Sequence, residues 1–185
     1  MSIDSQTTTR YRWDYRTPRG FSDIVLFSDG QSLTGLYFIS SRRFPKDIPN
    51  RQSQYIPIFR ETCHWLDIYF TGRQPDFTPR YAIPDITPFQ IEVHEEMRSI
   101  AFGDTRSYGD IAMSIARKRH AARMSAQAVG NAVGRNPICI IVPCHRVVGS
   151  GGNLTGYGGG MDNKIALLAL EGHDTAMLHR PSVRN

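Results

Sequence analysis

A stretch with four prolines, residues 73–88, most strongly constrains the fold, because it separates two parts of the chain with different hydrophobic periodicities. Before it, apolar runs at Ile24–Phe27 and Leu33–Ile39 flank an Asp-Gly pair, a pattern typical of a β-hairpin. After it, apolar residues recur every three to four positions, as in helices. We therefore predict an α+β protein with an N-terminal domain over residues 1–85 and a C-terminal domain over residues 86–185.

Local signals predict where the helices begin and end. Residues 1–18 are polar and are interpreted as a loose arm that leads into the first strand. The predicted helices are Pro57–Thr71, Phe89 to about Gly103, a helix opened by Ser107, a helix Ala126–Val133 capped by Ser125, and Asp162–Glu171. The second and third helices of the C-terminal part, joined by a basic turn, are typical of a helix-turn-helix.

The composition excludes several classes of protein. Of the 185 residues, 40% are hydrophobic and 21% charged, as in ordinary globular chains and unlike disordered or collagenous ones. No apolar run approaches the roughly 18 residues of a membrane span, and Met1–Tyr11 lacks the apolar core of a signal peptide. Three cysteines are too few for a disulfide framework, so we expect a cytoplasmic protein.

Positive charge is concentrated in one region of the sequence. The net charge is +5, and Arg98–Arg146 contains eight basic residues but only two acids. This excess favours a polyanionic partner such as nucleic acid. A solvated helical face would give the same pattern, so charge alone leaves both interpretations open.

The segment that carries reactive side chains follows the apolar run Ile138–Val142, which is predicted to be a buried strand ending at Pro143. Cys144 comes next, beside His145 and Arg146, where positive charge would stabilise a thiolate. A small core residue is the alternative for Cys144, and it is our expectation for the other two cysteines, Cys63 and Cys139.

His145 cannot contact Cys144 directly, because adjacent side chains of an extended segment point to opposite sides. A water could link His145 to Cys144, and a third group would fix the imidazole tautomer. Glu171 is a candidate: it ends the last predicted helix, where the helix dipole disfavours an acid, and Gly172 follows as the cap. A plain surface acid is the alternative.

The glycine-rich stretch Gly149–Gly160 permits a close approach of the backbone to a ligand. It lacks the lysine of a P-loop and the strand–helix context of a dinucleotide site, and a flexible hairpin loop is the alternative. No pair of cysteines and histidines has zinc-site spacing, so no metal is expected.

These residues together resemble a known family. The segment Pro143–Val148, with the sequence Pro-Cys-His-Arg-Val-Val, is similar to the active-site signature of the methylated-DNA–protein-cysteine methyltransferases, which repair guanine alkylated on O6. Other blocks similar to the family occur in the same order: Thr87–Gln90, Ser107–Ala112, Ala128–Gly130, Gly134–Pro137, Leu154–Tyr157 and Leu167–Gly172. The resemblance is close over residues 87–173 and looser over residues 20–78.

The resemblance implies a chemical role for each residue of the signature. Cys144 would attack the alkyl carbon in line and keep the alkyl group permanently. His145 would act through a water as the base, and Glu171 would orient it. Asn136 would brace the turn that carries Cys144. Arg146 would tie the two domains together rather than take part in the chemistry.

The resemblance also implies how DNA is held. Tyr108 would hydrogen-bond the purine and crowd the adjacent phosphate, so that the base leaves the duplex. Carbonyls around Cys144 and Val147 would bind the guanine amino group, and the loop at Tyr157 and Gly158 would cover the base. The recognition helix would enter the minor groove through small residues, namely Ser125, Ala126 and Gly130.

One position departs from the family pattern. Gln127 stands where the family usually has an arginine that enters the base stack. Because glutamine carries no charge and stacks less well, we expect weaker DNA binding or slower base flipping than in arginine-bearing relatives. Arg123, in the preceding basic turn, would compensate in part by attracting phosphate.

The resemblance implies a ribonuclease-H-like N-terminal sheet and a winged helix-turn-helix in the C-terminal domain. It also implies a monomer that acts on double-stranded DNA containing alkylated guanine, away from membranes and without a cofactor. Two alternatives remain: a non-catalytic module that binds alkylguanine, and a helix-turn-helix regulator. The regulator leaves the signature at Cys144 unexplained.

Overall fold

The structure is a computed structural model that describes residues 11–45, 52–154 and 157–177. The first ten residues of the predicted arm, which was expected to span residues 1–18, and the middle of the block Leu154–Tyr157 lie outside the described residues. The strands are β1 (Tyr11–Tyr15), β2 (Ile24–Ser28), β3 (Leu33–Phe38), β4 (Gln52–Ser53), β5 (Arg106–Ser107) and β6 (Val147–Val148). The α-helices are α1 (Pro57–Tyr69), α2 (Pro88–Arg98), α3 (Tyr108–Lys118), α4 (Ala126–Val133) and α5 (Met161–Leu170).

A four-stranded sheet with the order β3-β2-β1-β4 forms the N-terminal part. Strands β2 and β3 form the predicted hairpin, and its turn is stabilised by Asp29, whose carboxylate accepts from the backbone N–H groups of Gln31 and Ser32. Gly30 adopts a φ of 110°, which favours glycine. The hairpin prediction is therefore confirmed.

Strand β1 corrects the prediction of a loose arm. Tyr11–Tyr15 pairs antiparallel with β2 over its whole length, and Trp13 packs against the core. Aromatic and polar residues alternate here, which is a strand pattern with one face buried. The sequence interpretation gave too much weight to the charged residues between the aromatic ones.

The predicted helices of the C-terminal part are present, and side-chain caps define where they begin. Thr87 and Gln90 form a capping box at the start of α2. Ser107 and Asp110 form another at the start of α3, and Ser125 accepts from the backbone N–H of Ala128 at the start of α4. Each cap satisfies backbone donors that the first helical turn leaves unpaired. Helix α2 ends at Arg98, before the expected Gly103.

The prediction of a strand at Ile138–Val142 is wrong. Only Ile138 bridges to a strand, at Leu36, and the chain then curls so that the Val142 N–H donates to the Ile138 carbonyl. The side chain of Asn136 accepts from the Ile138 N–H and donates to the carbonyls of Ile138 and Val142. The side-chain amide of Asn136 thus satisfies backbone groups that a neighbouring strand would otherwise bind. The run is apolar because it is buried in the core.

A single hydrophobic cluster spans both sides of the proline-rich stretch and includes Phe59 of α1, Val93 of α2 and Val129 of α4. The buried carboxylate of Glu96 also holds α2 against α3, because it accepts from Arg106 and Ser114 and pairs with Lys118.

The division into domains at residue 85 stays a prediction. Within the described ranges, no helix is long and apolar enough to cross a membrane.

Candidate active site

Cys144 begins a single 3₁₀ turn, Cys144–Arg146, that directly follows the curled segment 138–142. The Cys144 side chain is only 5% exposed, and its Sγ lies 3.0 Å from the Nδ2 of Asn136, which donates to it. The extended geometry expected for Cys144 and His145 is thus wrong. The two side chains nevertheless have different partners, because His145 contacts Glu171 instead.

The surroundings of Cys144 favour the thiolate. Its pKa is lowered from the ordinary value of a thiol, chiefly by hydrogen bonding with Cys139, although burial acts in the opposite direction. The amide of Asn136 and the nearby ammonium group of Lys164 lower it further. The pKa of Cys139 is raised, chiefly by its hydrogen bond with the Cys144 sulfur and then by burial. Cys63 and Cys139 are both buried, as expected, and Cys139 is in addition part of the site.

Lys164 is a residue of the site that sequence reasoning missed. It is fully buried in α5, and its Nζ donates to the carbonyl of Val147 at 2.6 Å. Burial lowers the pKa of Lys164 to about 8. A lysine at helical spacing from the buried Leu167, Leu168 and Glu171 was the available signal. The Val147 carbonyl keeps a second lone pair for another donor.

Glu171 is buried at the end of α5, which excludes the surface-acid alternative. Its carboxylate accepts from the hydroxyl of Tyr69 at 2.6 Å, the Nε2 of His145 at 2.8 Å, and the Nε and Nη2 of Arg146 at 2.9 and 3.0 Å. Burial alone would raise the pKa of Glu171, but the hydrogen bond from His145 and the hydrogen bonds and positive charge of Arg146 hold it well below its usual range. The carboxylate is therefore ionised at neutral pH.

The ionised carboxylate fixes the tautomer of His145. Burial lowers the pKa of the imidazole, so the ring is neutral near pH 7. Its Nε2 carries the hydrogen that is donated to Glu171, which leaves a lone pair on Nδ1. Nδ1 is buried and makes no hydrogen bond to any residue within the described ranges. This nitrogen can accept a proton.

Arg146 joins the active-site turn to two other segments. Besides the paired contact with Glu171, its Nη1 donates to the carbonyl of Ile100 at 2.8 Å. Its Nη2 donates to the Oε1 of Gln74, which lies in the proline-rich stretch. The guanidinium of Arg146 therefore links the active-site turn to the end of α5, to Ile100 and to Gln74.

A second feature of the site is a cleft of about 1070 Å³ between α3 and α4. Its walls include several of the residues predicted to contact DNA, namely Tyr108, Arg123, Ala126, Gln127 and Gly130. Tyr108 packs against α4 at Gly130, and its pKa is raised to about 12 by burial and by the neighbouring Cys144. Tyr108 is thus a residue of this cleft whose hydroxyl also responds to the charge of Cys144.

The remaining predicted residues lie elsewhere. Ser125 caps α4 at the edge of the cleft, and Val147 is buried under the active-site turn. Gly158 lines a separate narrow crevice together with Cys144 and Asn136, and the buried ring of Tyr157 packs beneath Lys164. The structure therefore places the reactive sulfur in the crevice beside the glycine loop, whereas the α3–α4 cleft is lined by other residues, Tyr108 among them.

Comparison with known proteins decides the family. The model of the family described as "6-O-methylguanine DNA methyltransferase, DNA binding domain" matches residues 88–173. The methylated-DNA–protein-cysteine methyltransferase of Mycobacterium tuberculosis is 49% identical over 151 residues, which cover 80% of this chain and 85% of the relative. The chain belongs to this family.

Other relatives of the methyltransferase family agree. The enzyme of Methanosarcina acetivorans is 40% identical over 149 residues, which cover 80% of this chain and 91% of that protein. Among solved structures, OGT of Mycobacterium tuberculosis in complex with DNA has a TM-score of 0.71 and 34% identity, over 91% of this chain and 94% of that one. The match confirms a mixed α/β architecture with small sheets and five helices within the described ranges.

The buried Glu171 predicts a specific dependence of stability on pH. Its pKa is depressed in the folded state, so its contribution is present above the unfolded-state pKa of about 4.3 and is lost as the pH falls below that value. Glu171→Gln leaves Arg146 buried without its counter-charge, which costs about 3–5 kcal/mol of unfolding free energy at pH 7. The difference from wild type should shrink at pH 3, as measured by urea unfolding.

The exposed Glu95 of α2 offers the matched control. Glu95→Gln should unfold like wild type at both pH values. A deficit for Glu171→Gln that is equally large at pH 3 and pH 7 would contradict the ionised, buried carboxylate.

Proposed function

We propose that the protein repairs DNA by direct transfer of a methyl or other alkyl group from O6 of guanine to its own Cys144. The observation that carries the proposal is a buried thiol with a lowered pKa, held by a hydrogen-bond donor, in a chain of the methyltransferase family. The Cys144 thiolate attacks the alkyl carbon, and the bond from that carbon to O6 breaks. Its electron pair goes to the guanine, which takes up a proton, and a stable thioether remains on the protein. Each molecule therefore acts once and needs no cofactor.

The polar groups around Cys144 support the proton transfer that this chemistry requires. Asn136 braces the curled segment and stabilises the sulfur as an anion. Glu171 keeps the hydrogen of His145 on Nε2, so Nδ1 serves as the base that takes the thiol proton through a water. Arg146 holds the charge of Glu171 in place and takes no part in the reaction.

The DNA would be held by the cleft between α3 and α4. An alkyl group on O6 lies inside the duplex, so the nucleotide must leave the base stack, at a cost of a few kcal/mol. We propose that Tyr108 crowds the phosphate and contacts the flipped purine, while Ser125, Ala126 and Gly130 let α4 approach the groove. Arg123 would attract phosphates without reading sequence.

The base itself would be bound on the other side of the sulfur. The carbonyls near Cys144 and Val147 would accept from the guanine amino group, and the loop at Tyr157 and Gly158 would cover the ring. The proximity of Gly158 to Cys144 in one crevice supports this placement.

The finer features of the fold belong to the same proposal. The antiparallel strands β1–β3 beside α1 support a ribonuclease-H-like N-terminal domain up to residue 85. The pairing of β5 with β6, which flank α3 and α4 in the chain, supports a winged helix-turn-helix in the C-terminal domain. A monomeric state and a cytoplasmic location, with its reduced cysteines, stay predictions.

Two other functions would use the same surfaces: a non-catalytic module that binds alkylguanine, and a helix-turn-helix regulator. Neither requires a nucleophile. The polar arrangement around Cys144, with its donor from Asn136 and the neighbouring His145 and Glu171 pair, favours the reaction over both.

Labelling tests the proposal directly. After incubation with a duplex containing O6-methylguanine, peptide mass spectrometry should find one added methyl group, on the peptide with Cys144. Cys144→Ala should lose the transfer completely but still bind the duplex. A methyl group on Cys63 or Cys139 would overturn the assignment, and binding without any transfer would favour the non-catalytic module.

Gln127 generates a further prediction. Gln127→Arg adds a charge and a planar group at the position where we expect contact with the base stack, so it should bind methylated duplex more tightly and transfer the methyl group faster. Asn131→Arg, on the same helix and in the same cleft, is the charge-matched control. It should raise affinity for any DNA without a comparable gain in single-turnover rate. Equal rates for Gln127→Arg and wild type would count against a role of Gln127 in base flipping.

A further inference from the structure

The first turn of α5 contains a buried amide, Asn163, that connects three separate segments. The two hydrogens of its Nδ2 are shared among three acceptors: the carbonyl of Gly159 at 2.8 Å, and the neighbouring Oγ atoms of Ser22 at 2.8 Å and Ser40 at 3.0 Å. Its Oδ1 accepts from the backbone N–H of Ser22 at 3.1 Å. Residues before β2 and after β3 are thereby joined to the glycine loop beside the active site.

A second contact holds the neighbouring residue of the same loop. The carbonyl of Gly158 accepts from the Oγ of Ser41 at 2.8 Å and from the backbone N–H of Arg42 at 3.1 Å. Two consecutive carbonyls, at Gly158 and Gly159, are therefore fixed by donors from outside the loop. A partly buried polar network with several hydrogen bonds favours one arrangement of the backbone.

The loop has little freedom to change its packing. A Cβ atom at Gly159 would lie 2.6 Å from the ring of Tyr157 and 3.1 Å from that of Phe38. A Cβ atom at Gly158 would lie 3.3 Å from the side chain of Arg43. The backbone of the loop thus fits closely against its neighbours on both sides.

The same two glycines form a wall at the reactive sulfur. Gly158, Gly159 and Ser41 line the crevice that reaches Cys144, and the crevice has a volume of only about 10 Å³. A space of this size holds at most about one water molecule. An alkylated base reaches the sulfur only if the wall yields, so the stiffness of the wall limits the size of the alkyl group.

We propose that Asn163 and Ser41 are positioning residues that stiffen the Gly158–Gly159 wall at Cys144 and so restrict the protein to small alkyl groups. The inference rests on the proposed alkyl transfer and names its substrate class: O6-methylguanine is favoured over guanines with bulky aralkyl groups such as benzyl. Asn163 lies outside the lining of the crevice, and Ser41, which lines it, acts through its hydrogen bond to Gly158. Their effect is transmitted through the two glycine carbonyls.

The test compares single-turnover rates of the full-length protein on duplexes that contain O6-methylguanine or O6-benzylguanine. Ser41→Ala removes the donor to Gly158, and Asn163→Asp removes the donor to Gly159 while keeping an acceptor for Ser22. Each variant should raise the ratio of the benzyl rate to the methyl rate by about fivefold, the change that corresponds to one neutral hydrogen bond.

Ser99→Ala is the matched control. The Oγ of Ser99 also donates to a backbone carbonyl at 2.8 Å, that of Glu96, but it lies at the end of α2. This variant should lose a similar amount of thermal stability and keep the wild-type ratio, which separates an effect on selectivity from one on stability alone.

The outcomes are distinguishable. An unchanged ratio in Ser41→Ala and Asn163→Asp, in protein that still transfers methyl groups, would overturn the inference even if both variants unfold at lower temperature. A wild-type protein that transfers neither group would overturn the proposed function itself.

Discussion

The carboxylate of Glu171 is the interaction on which the arrangement of the site depends. A buried charge is costly unless it is paired and hydrogen-bonded, and here the partners of Glu171 come from two separate segments of the chain. Tyr69 brings the end of α1, His145 and Arg146 bring the active-site turn, and Glu171 itself ends α5. The same contacts set the tautomer of His145. A single carboxylate thus holds α1, α5 and the active-site turn together and sets the tautomer of His145.

The reactive sulfur depends on a second set of contacts that compensates for its burial. Taking a thiolate out of water raises the pKa of a thiol, so an anionic Cys144 requires nearby donors and positive charge. Asn136 provides a donor and also curls the preceding segment, and Lys164 provides a buried ammonium group. Burying these polar groups costs free energy, but together they stabilise a nucleophile that is protected from solvent.

Local chemistry explains how much of the fold was predictable. Helices α3 and α4 begin where Ser107 and Ser125 were expected to open them, because a cap depends on residues within one turn. Helix α2 begins at Pro88, one residue before the expected Phe89, and its cap at Thr87 was not predicted. Residues Ile138–Val142 are apolar because they are buried in the core, and not because they form a strand. Hydrogen bonds from the side chain of Asn136 curl this run instead. Periodicity alone cannot separate these two causes.

The same distinction holds for the site. The signature around Cys144 could be found in the sequence because it is a short run of consecutive residues. Glu171 could be found because it is an acid at the end of a predicted helix. Lys164 and the network of Asn163 were missed, because their roles arise from which segments pack together. A lysine or asparagine at the start of a helix is ordinary until its neighbours are known.

The pKa of the Cys144 thiol tests the account most directly. The alkylation rate of each cysteine by iodoacetamide, followed by peptide mass spectrometry across pH values, gives that pKa in the folded protein and in urea. We expect a lower midpoint for Cys144 in the folded protein than in urea, where the thiol should titrate like an ordinary cysteine. A folded-state midpoint at or above the unfolded one would contradict it.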